Sequence, residues 1–381
     1  MIYLDHNATT PVDPEVLDAM LPFLRDEFGN PSSSHALGRR ARAAVEQARE
    51  QVADLLNCHP EEIVFTGGGS EANNLALKGA AEVLADRGNH IITSVIEHPA
   101  IINPCHYLER KGFRVTYLPV DGAGLVTPQA VREAITQRTV LISVMHANNE
   151  VGTIEPIAEI GAIARERGIW FHSDAAQSVG KIPTRVDDLN VDLLSVAGHK
   201  LYAPKGVGAL YMRSGVRLEP LIHGAGHERG LRAGTENVAG IVGLAKACEL
   251  AGRNLAEAAG RIQGLRDQLH RKLQERVSST LLNGHPDKRL PNTLNVSLEG
   301  VDSDRLLAAL PEIAASTGAA CHAHSREPSA VLTAMGVPAE MALGAVRFSL
   351  GRRTTSEEIG RAVDLIASAV SRLHPARASG S

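Results

Sequence analysis

The stretch IWFHSDAAQSVGKIPTRVDDLNVDLLSVAGHKLYAPKGVGALYM, residues 169–212, decides the fold. It holds three short apolar runs, IWFHS, VDLLSVA and GALYM, too short for helices and bounded by turn-forming residues. Their apolar residues run almost continuously instead of alternating, the pattern of strands buried on both faces of a mainly parallel sheet. The first two runs end in polar chemistry. Asp174 closes the first and Lys200 follows the second. In open α/β sheets, ligands sit outside the carboxyl ends of the strands.

Working outward, the runs EIVF, HIITSVI, RVTYLPV and VLISVM repeat the pattern between helical segments from residue 62. They predict an α/β fold with a mainly parallel seven-stranded sheet. Upstream, Asp13-Pro14 reads as an N-cap followed by a first-turn proline, opening a helix to about Phe28. FGNPSSSH interrupts it, and a second helix runs to about Asn57. Downstream, one long helical stretch from about Val238 to Arg276 leads to LNVSLEG, IAASTG and AVRFSL, read as strands of a smaller α+β domain. The expected division is a large domain at 14–245 and a small one built from 1–13 and 246–376. A disordered tail at 377–381 completes it.

The chain has 381 residues, 44% hydrophobic and 22% charged, and a formal net charge of −4. That charge gives no electrostatic footprint for nucleic acid. No apolar run approaches the ~20 residues that span a bilayer, and MIYLDHNATTPVD lacks the basic start and apolar stretch of a signal peptide. No membrane contact is expected, and the cytoplasm is the expected compartment. Cys58, Cys105, Cys248 and Cys321 form no C-x-x-C pair, so neither a disulfide framework nor a structural zinc is expected. The first three lie in or beside helical segments and read as buried filler.

TGGGSEANN follows the EIVF run and opens a helix near Ser70. Its glycines let backbone approach an anion and its helix start offers free N–H groups, although such turns also occur without a ligand. Asp174 reads either as a helix cap or as the partner of a protonated ring nitrogen. Lys205 reads as a solvated surface group. Lys200 sits where an apolar strand meets a glycine/proline turn, and desolvation there makes its amine a nucleophile. An Asp and a Lys, each after its own strand, match what pyridoxal phosphate requires.

These motifs are joined by YLDHNATTPVD, NPSSSH, EHPA, HANNEVGTIEPI, HERGLRAGTEN, LPNTLNVS, STGAACHAHSREPS and VRFSLGR, in order from Tyr3 to about Arg352. With them the chain resembles the cysteine desulfurases of the class V aminotransferase group, in pyridoxal-phosphate fold-type I. The resemblance implies that Lys200 attaches the cofactor, Asp174 holds its ring nitrogen, Gln177 its ring oxygen, and His98 stacks on the ring and moves protons. It places Gly69, Ser70 and His199 at the phosphate, and Asn149 against the cofactor. Thr235 reaches the phosphate from a second subunit, which implies a homodimer. Arg347 would clamp the carboxylate of a small amino-acid substrate, with help from Asn7.

Cys321 matches the family's sulfur-accepting cysteine, which implies a persulfide intermediate and an onward protein sulfur acceptor. Its neighbours Gly318, His322 and His324 suit an accessible thiolate. The alternative is a metal site from Cys321, His322 and His324, but ligands so tightly spaced on one loop match tetrahedral zinc poorly. His223 and His227 have a metal-like spacing, but the intervening GAG predicts a loop. Glu228 and Arg229 read as a local ion pair or as loop anchors.

Two positions depart from the desulfurase pattern. Ala197 stands where many desulfurases have a phosphate-binding serine, and the A-A-C-H order at 319–322 is that of selenocysteine lyases. Selenocysteine lyase is therefore the second reading. Other β-elimination or transamination, and a non-catalytic sulfur-relay subunit, rank below it. The chain also ends soon after SRLHP, so the resemblance assigns no iron–sulfur scaffold partner.

Overall fold

The computed structural model describes residues 1–277, 280–317 and 327–373. In chain order the strands are β1 (Ile2–Tyr3), β2 (Ile63–Thr66), β3 (His90–Ser94), β4 (Arg114–Leu118), β5 (Thr139–Ser143) and β6 (Trp170–Asp174). They continue as β7 (Leu193–Ala197), β8 (Gly208–Met212), β9 (Thr280–Asn283), β10 (Thr293–Leu298), β11 (Ile313–Ala314) and β12 (Ala345–Ser349).

Seven strands form one sheet in the order β2-β8-β7-β6-β5-β3-β4. The run from β7 to β4 is parallel throughout, and β8 lies antiparallel to both β2 and β7. Every residue of β2, β3, β5 and β7 is buried. The cause is a hydrophobic layer on each face. Leu75, Leu77 and Leu84 from helix Gly69–Leu84 pack on one side, and Val45, Val52, Leu244 and Ala247 from helices Ala36–Leu56 and Val238–Arg253 on the other. Two covered faces explain why the strand sequences do not alternate. The capping signals act as read. Asp13 accepts the N–H of Glu15 at the start of helix Pro14–Arg25, and Asn57 ends its helix in the left-handed conformation, φ 56°.

A second sheet, β12-β10-β9, is antiparallel. Leu294, Val296 and Phe348 pack there with Leu269, Ile359 and Val363, and Ile2 and Leu4 join the same cluster. Three expectations are corrected. IAASTG yields only the two residues of β11, which pair in parallel with β1 outside that sheet. The third strand is β9, a short segment after a long helix that the apolar pattern did not mark. The helical stretch from Val238 is two helices, Val238–Arg253 and Leu255–Arg276, parted at Asn254, whose φ of −145° no helix accommodates. Among the described residues no helix is long and apolar enough to cross a membrane. The expected tail at 377–381 lies outside the described residues.

Candidate active site

A cavity of about 1170 Å³ opens at the carboxyl ends of β6 and β7. Of the site residues expected from sequence, Asn7, Gly69, Ser70, His98, Asn149, Asp174, Gln177, His199, Lys200 and Arg347 all line it. Residues from both ends of the chain and from five strand ends thus meet around one space.

Asp174 is the last residue of β6 and is buried. Its Oδ2 accepts from Asn73 Nδ2 at 2.6 Å and its Oδ1 from the N–H of Ala176 at 2.9 Å. Lys200 ends a 3-10 turn, Gly198–Lys200, directly after β7. Its Nζ donates to the carbonyls of Asn7 and, at 2.8 Å, Ala8. Gln177 Nε2 donates to the same Asn7 carbonyl at 3.0 Å.

His98 caps helix Pro99–Glu109, its Nδ1 accepting from Ala100 N–H at 3.1 Å. Burial lowers its pKa; Asp174 opposes the shift and Lys200 adds to it. The neutral ring therefore carries its proton on Nε2. His199 Nδ1 meets Thr9 Oγ1 at 3.1 Å. Burial, reinforced by Lys200, Lys205 and Lys181, pushes its pKa down to about 4.

β2 leads into Gly68, whose φ of +146° suits only glycine, and the helix starts at Gly69. A Cβ on Gly69 would come within 3.0 Å of Ala197 Cβ, so the turn lies against the end of β7. Glu71 braces it, accepting from Gly67 N–H at 2.9 Å and from Arg232 Nε at 3.0 Å.

Arg347 projects from β12 with its side chain only 2% exposed. It donates to the Asn149 carbonyl at 3.1 Å and to Asp5 Oδ1 at 2.8 Å. Two of its five N–H donors are thus engaged. The Asn7 side chain is filled. Its Nδ2 donates to Thr293 Oγ1 and the Asn149 carbonyl, and its Oδ1 accepts from Asn292 and Lys181. What Asn7 offers to Lys200 is its main-chain carbonyl.

Of the remaining expected residues, one lies off the cavity wall and one is outside the described residues. Thr235 is exposed, in the loop beyond the 3-10 turn His227–Gly230. Cys321 lies outside the described residues, as do His322 and His324. Among the described residues no group of three or more His, Cys, Asp or Glu is placed to hold a metal ion. Burial pushes the thiols of Cys58, Cys105 and Cys248 up to about 12, which makes them poor nucleophiles. Glu228 and Arg229 act as separate anchors and not as an ion pair. Glu228 is bound to Arg49 at 2.8 Å and to Phe65 N–H, and Arg229 donates to the Ile63 carbonyl.

Sequence reading missed Asn73, Asp5, Lys181 and Glu97. Asn73 lies one helical turn beyond Gly69, a spacing that could have flagged it. Glu97 is a buried carboxyl on the cavity wall. Its Oε1 accepts from Ser94 Oγ and Met145 N–H, its Oε2 has no partner among the described residues, and burial pushes its pKa up to about 8.

The residues present suit pyridoxal phosphate. A braced carboxylate and a lysine share one cavity, and a glycine turn at a helix N-terminus opens onto it. Asp174 would face the ring nitrogen, His98 Nε2–H the ring, and the Gly69 turn the phosphate.

Comparison with known proteins agrees. The chain is 50% identical to the cysteine desulfurase IscS of Dictyoglomus turgidum over 374 residues, which is 98% of this chain and 95% of that protein. It is also 50% identical to the cysteine desulfurase IscS of Methanosarcina thermophila, over 98% of this chain and 92% of that one. Among solved structures, a NifS-like protein superposes with a TM-score of 0.92 at 41% identity, covering 97% of this chain and 99% of its own. SspA in complex with cysteine superposes with a TM-score of 0.84 at 43% identity, covering 93% and 100%. The aminotransferase class-V profile matches residues 2–361. With the Asp174–Lys200 pair at the strand ends and this likeness along nearly the whole chain, the protein belongs to the class-V aminotransferase family.

Proposed function

We propose that the chain is a pyridoxal-phosphate-dependent cysteine desulfurase, converting L-cysteine to L-alanine and leaving the sulfur as a persulfide on Cys321. The observation that carries the reading is the single cavity joining Asp174 and Lys200 to Arg347. Identity of 50% to cysteine desulfurases and a cysteine-bound structural neighbour support it.

The bound cofactor supplies a ring that takes up the electrons released when the substrate loses its Cα proton. Lys200 would attach the cofactor and, once the substrate amine has taken its place there, would move that proton at Nζ, aimed by the carbonyls of Asn7 and Ala8. Asp174, fixed by Asn73 and Ala176, holds the ring nitrogen in its protonated form. Gln177 donates to the ring oxygen. His98 covers the ring and offers a proton at Nε2. The N–H groups that Arg347 has left take the substrate carboxylate. Cys321 sulfur forms the new S–S bond as the substrate C–S bond breaks, which divides one difficult expulsion into two steps.

Thr235 completes the phosphate site of a neighbouring copy, so the working unit is a homodimer. Residues 14–245 form the cofactor-binding domain, and 1–13 with 246–376 the domain carrying Cys321. The compartment is the cytoplasm, and a protein accepts the sulfur.

The experiment is alanine release from L-cysteine and L-selenocysteine by the cofactor-loaded protein, in the wild type and Cys321→Ala. Cysteine turnover that disappears in the variant while the yellow colour stays is the expected result. Turnover of selenocysteine alone would make the protein a selenocysteine lyase, and full cysteine turnover by the variant would remove the persulfide step.

A further inference from the structure

The Asn7 peptide is a junction. Its carbonyl accepts from Lys200 Nζ and Gln177 Nε2, and its side-chain Oδ1 accepts from Lys181 Nζ at 3.4 Å. Lys181 also donates to Gln177 Oε1, at 2.9 Å. It therefore binds both Asn7, whose carbonyl receives the Lys200 amine, and Gln177, which shares that carbonyl, from outside the wall of the large cavity.

A glutamine amide can sit either way round, because its oxygen and nitrogen ends have nearly the same shape. A lysine decides between them. As an ammonium it has three donors and no acceptor, and as an amine it still has two donors, one for each oxygen. Its contact with Gln177 therefore selects the orientation that leaves Nε2 facing Asn7 and the cavity. Reversed, the side chain would present a carbonyl to the cofactor's ring oxygen, two acceptors facing each other.

We propose that Lys181 is a positioning residue of the active site, holding the oxygens of Gln177 and Asn7 so that Gln177 turns its N–H towards the cofactor. The role rests on the proposed binding of pyridoxal phosphate by Lys200. Lys181 itself faces a separate small cavity of about 30 Å³, shared with His6, Tyr202, Asn292 and Arg352, room for about one water. Burial, followed by the charges of Lys200 and Arg347, brings its pKa down to about 7; His6 and Arg352 also face it across the small cavity. The ammonium, which has no lone pair, forbids the reversed amide; the neutral amine still donates to both oxygens but also has a lone pair open to Nε2–H, so the selection is strict while Lys181 is protonated.

The test is Lys181→Met, alone and in a Gln177→Ala background, read by the visible absorption of the bound cofactor against pH and by the cofactor dissociation constant. In the wild-type background the variant should move the spectral midpoint by about one pH unit and weaken cofactor binding about 10-fold. In the Gln177→Ala background it should add less than about 2-fold, since the two residues act as one unit. Equal effects in both backgrounds would mean that Lys181 acts only through its charge, and an unmoved spectrum would mean that it does not act on the site. Either result overturns the proposal. If the methionine variant does not fold, Lys181→Gln replaces it. That side chain no longer forbids the reversed amide, so it must move the midpoint in the same direction. The readout needs bound cofactor and no turnover, so a failure to form alanine bears on the proposed reaction alone.

Discussion

The two halves of the active site are built in different ways. In the half around Asp174, Lys200 and Gly69, each group lies at or just beyond the end of a buried strand, and the sheet places it. The half around Arg347, Asn7 and Asn149 is held by bonds between distant parts of the chain. Asn7 N–H meets Ser349 Oγ and Arg347 meets Asp5, each across 342 positions. A backbone bridge between Asp5 and Ser349 and the β1–β11 pairing tie the N-terminus to the C-terminal sheets. The cofactor half is thus fixed by elements that pack whether or not the site works, and the carboxylate half by a network that exists only when both chain ends are docked. Chemistry should fail when the first is altered, and binding when the second is.

The largest effect expected is therefore in the cofactor half. Asp174→Asn keeps the shape but removes the charge facing the ring nitrogen, and kcat should fall about 10²–10⁴-fold with the cofactor still bound. Steady-state kinetics with a visible spectrum would show it, and near-normal kcat would break the comparison. In the other half, Arg347→Lys replaces a planar fork with a point charge. KM for cysteine should rise about 10–100-fold, with kcat changed much less. A variant that lost kcat in proportion instead would show that Arg347 acts at the reacting centre.

This difference also explains what could be read from the sequence. Asp174, Lys200 and the Gly69 turn were visible because each ends its own strand or follows it within three residues, and periodicity locates strands. The bulk of the seven-stranded sheet was visible for the same reason, since two covered faces write continuous apolar runs. Asp5 and Asn292 were not visible, because their partners lie far away in the chain and no spacing records a long-range bond; Lys181 lies only four residues beyond Gln177, but its bond to Asn7 spans the chain. β9 and the break at Asn254 were missed on similar grounds. β9 is fixed by its pairing with β10, and no local pattern marks either it or the break at Asn254. Cys321 was legible through the resemblance and through its neighbours Gly318, His322 and His324, and it lies outside the described residues.

Between the halves lies Glu97, and its expected effect is on stability. Burial, with Asp174 nearby, raises its pKa from 4.5 to about 8 in the folded protein. A raised carboxyl contributes stability that is full below about 4.5 and lost as pH rises through about 8. Glutamine has no such titration. The Tm of the wild type minus that of Glu97→Gln should therefore drop by about 5 °C or more between pH 5 and pH 8.5, as for a change of a few kcal/mol. A difference that stayed flat across this window would mean that Glu97 keeps the same charge throughout, and that Asp174 has an anionic neighbour at every working pH.

The smallest effect sharpens the cofactor half. Ala197 ends β7, and its Cβ lies 3.0 Å from where a Cβ on Gly69 would stand. A hydroxyl carried on that Cβ would sit beside the turn proposed to receive the phosphate, where the helix already offers N–H groups. Ala197→Ser should therefore add one hydrogen bond, tightening cofactor binding about 3–10-fold in a dialysis or fluorescence titration. Turnover should change less, because the phosphate is remote from the bond being broken. If affinity fell, the space between β7 and the glycine turn would be too tight for an oxygen. The phosphate would then have to be held from the His199 side and by Thr235 of the neighbouring copy.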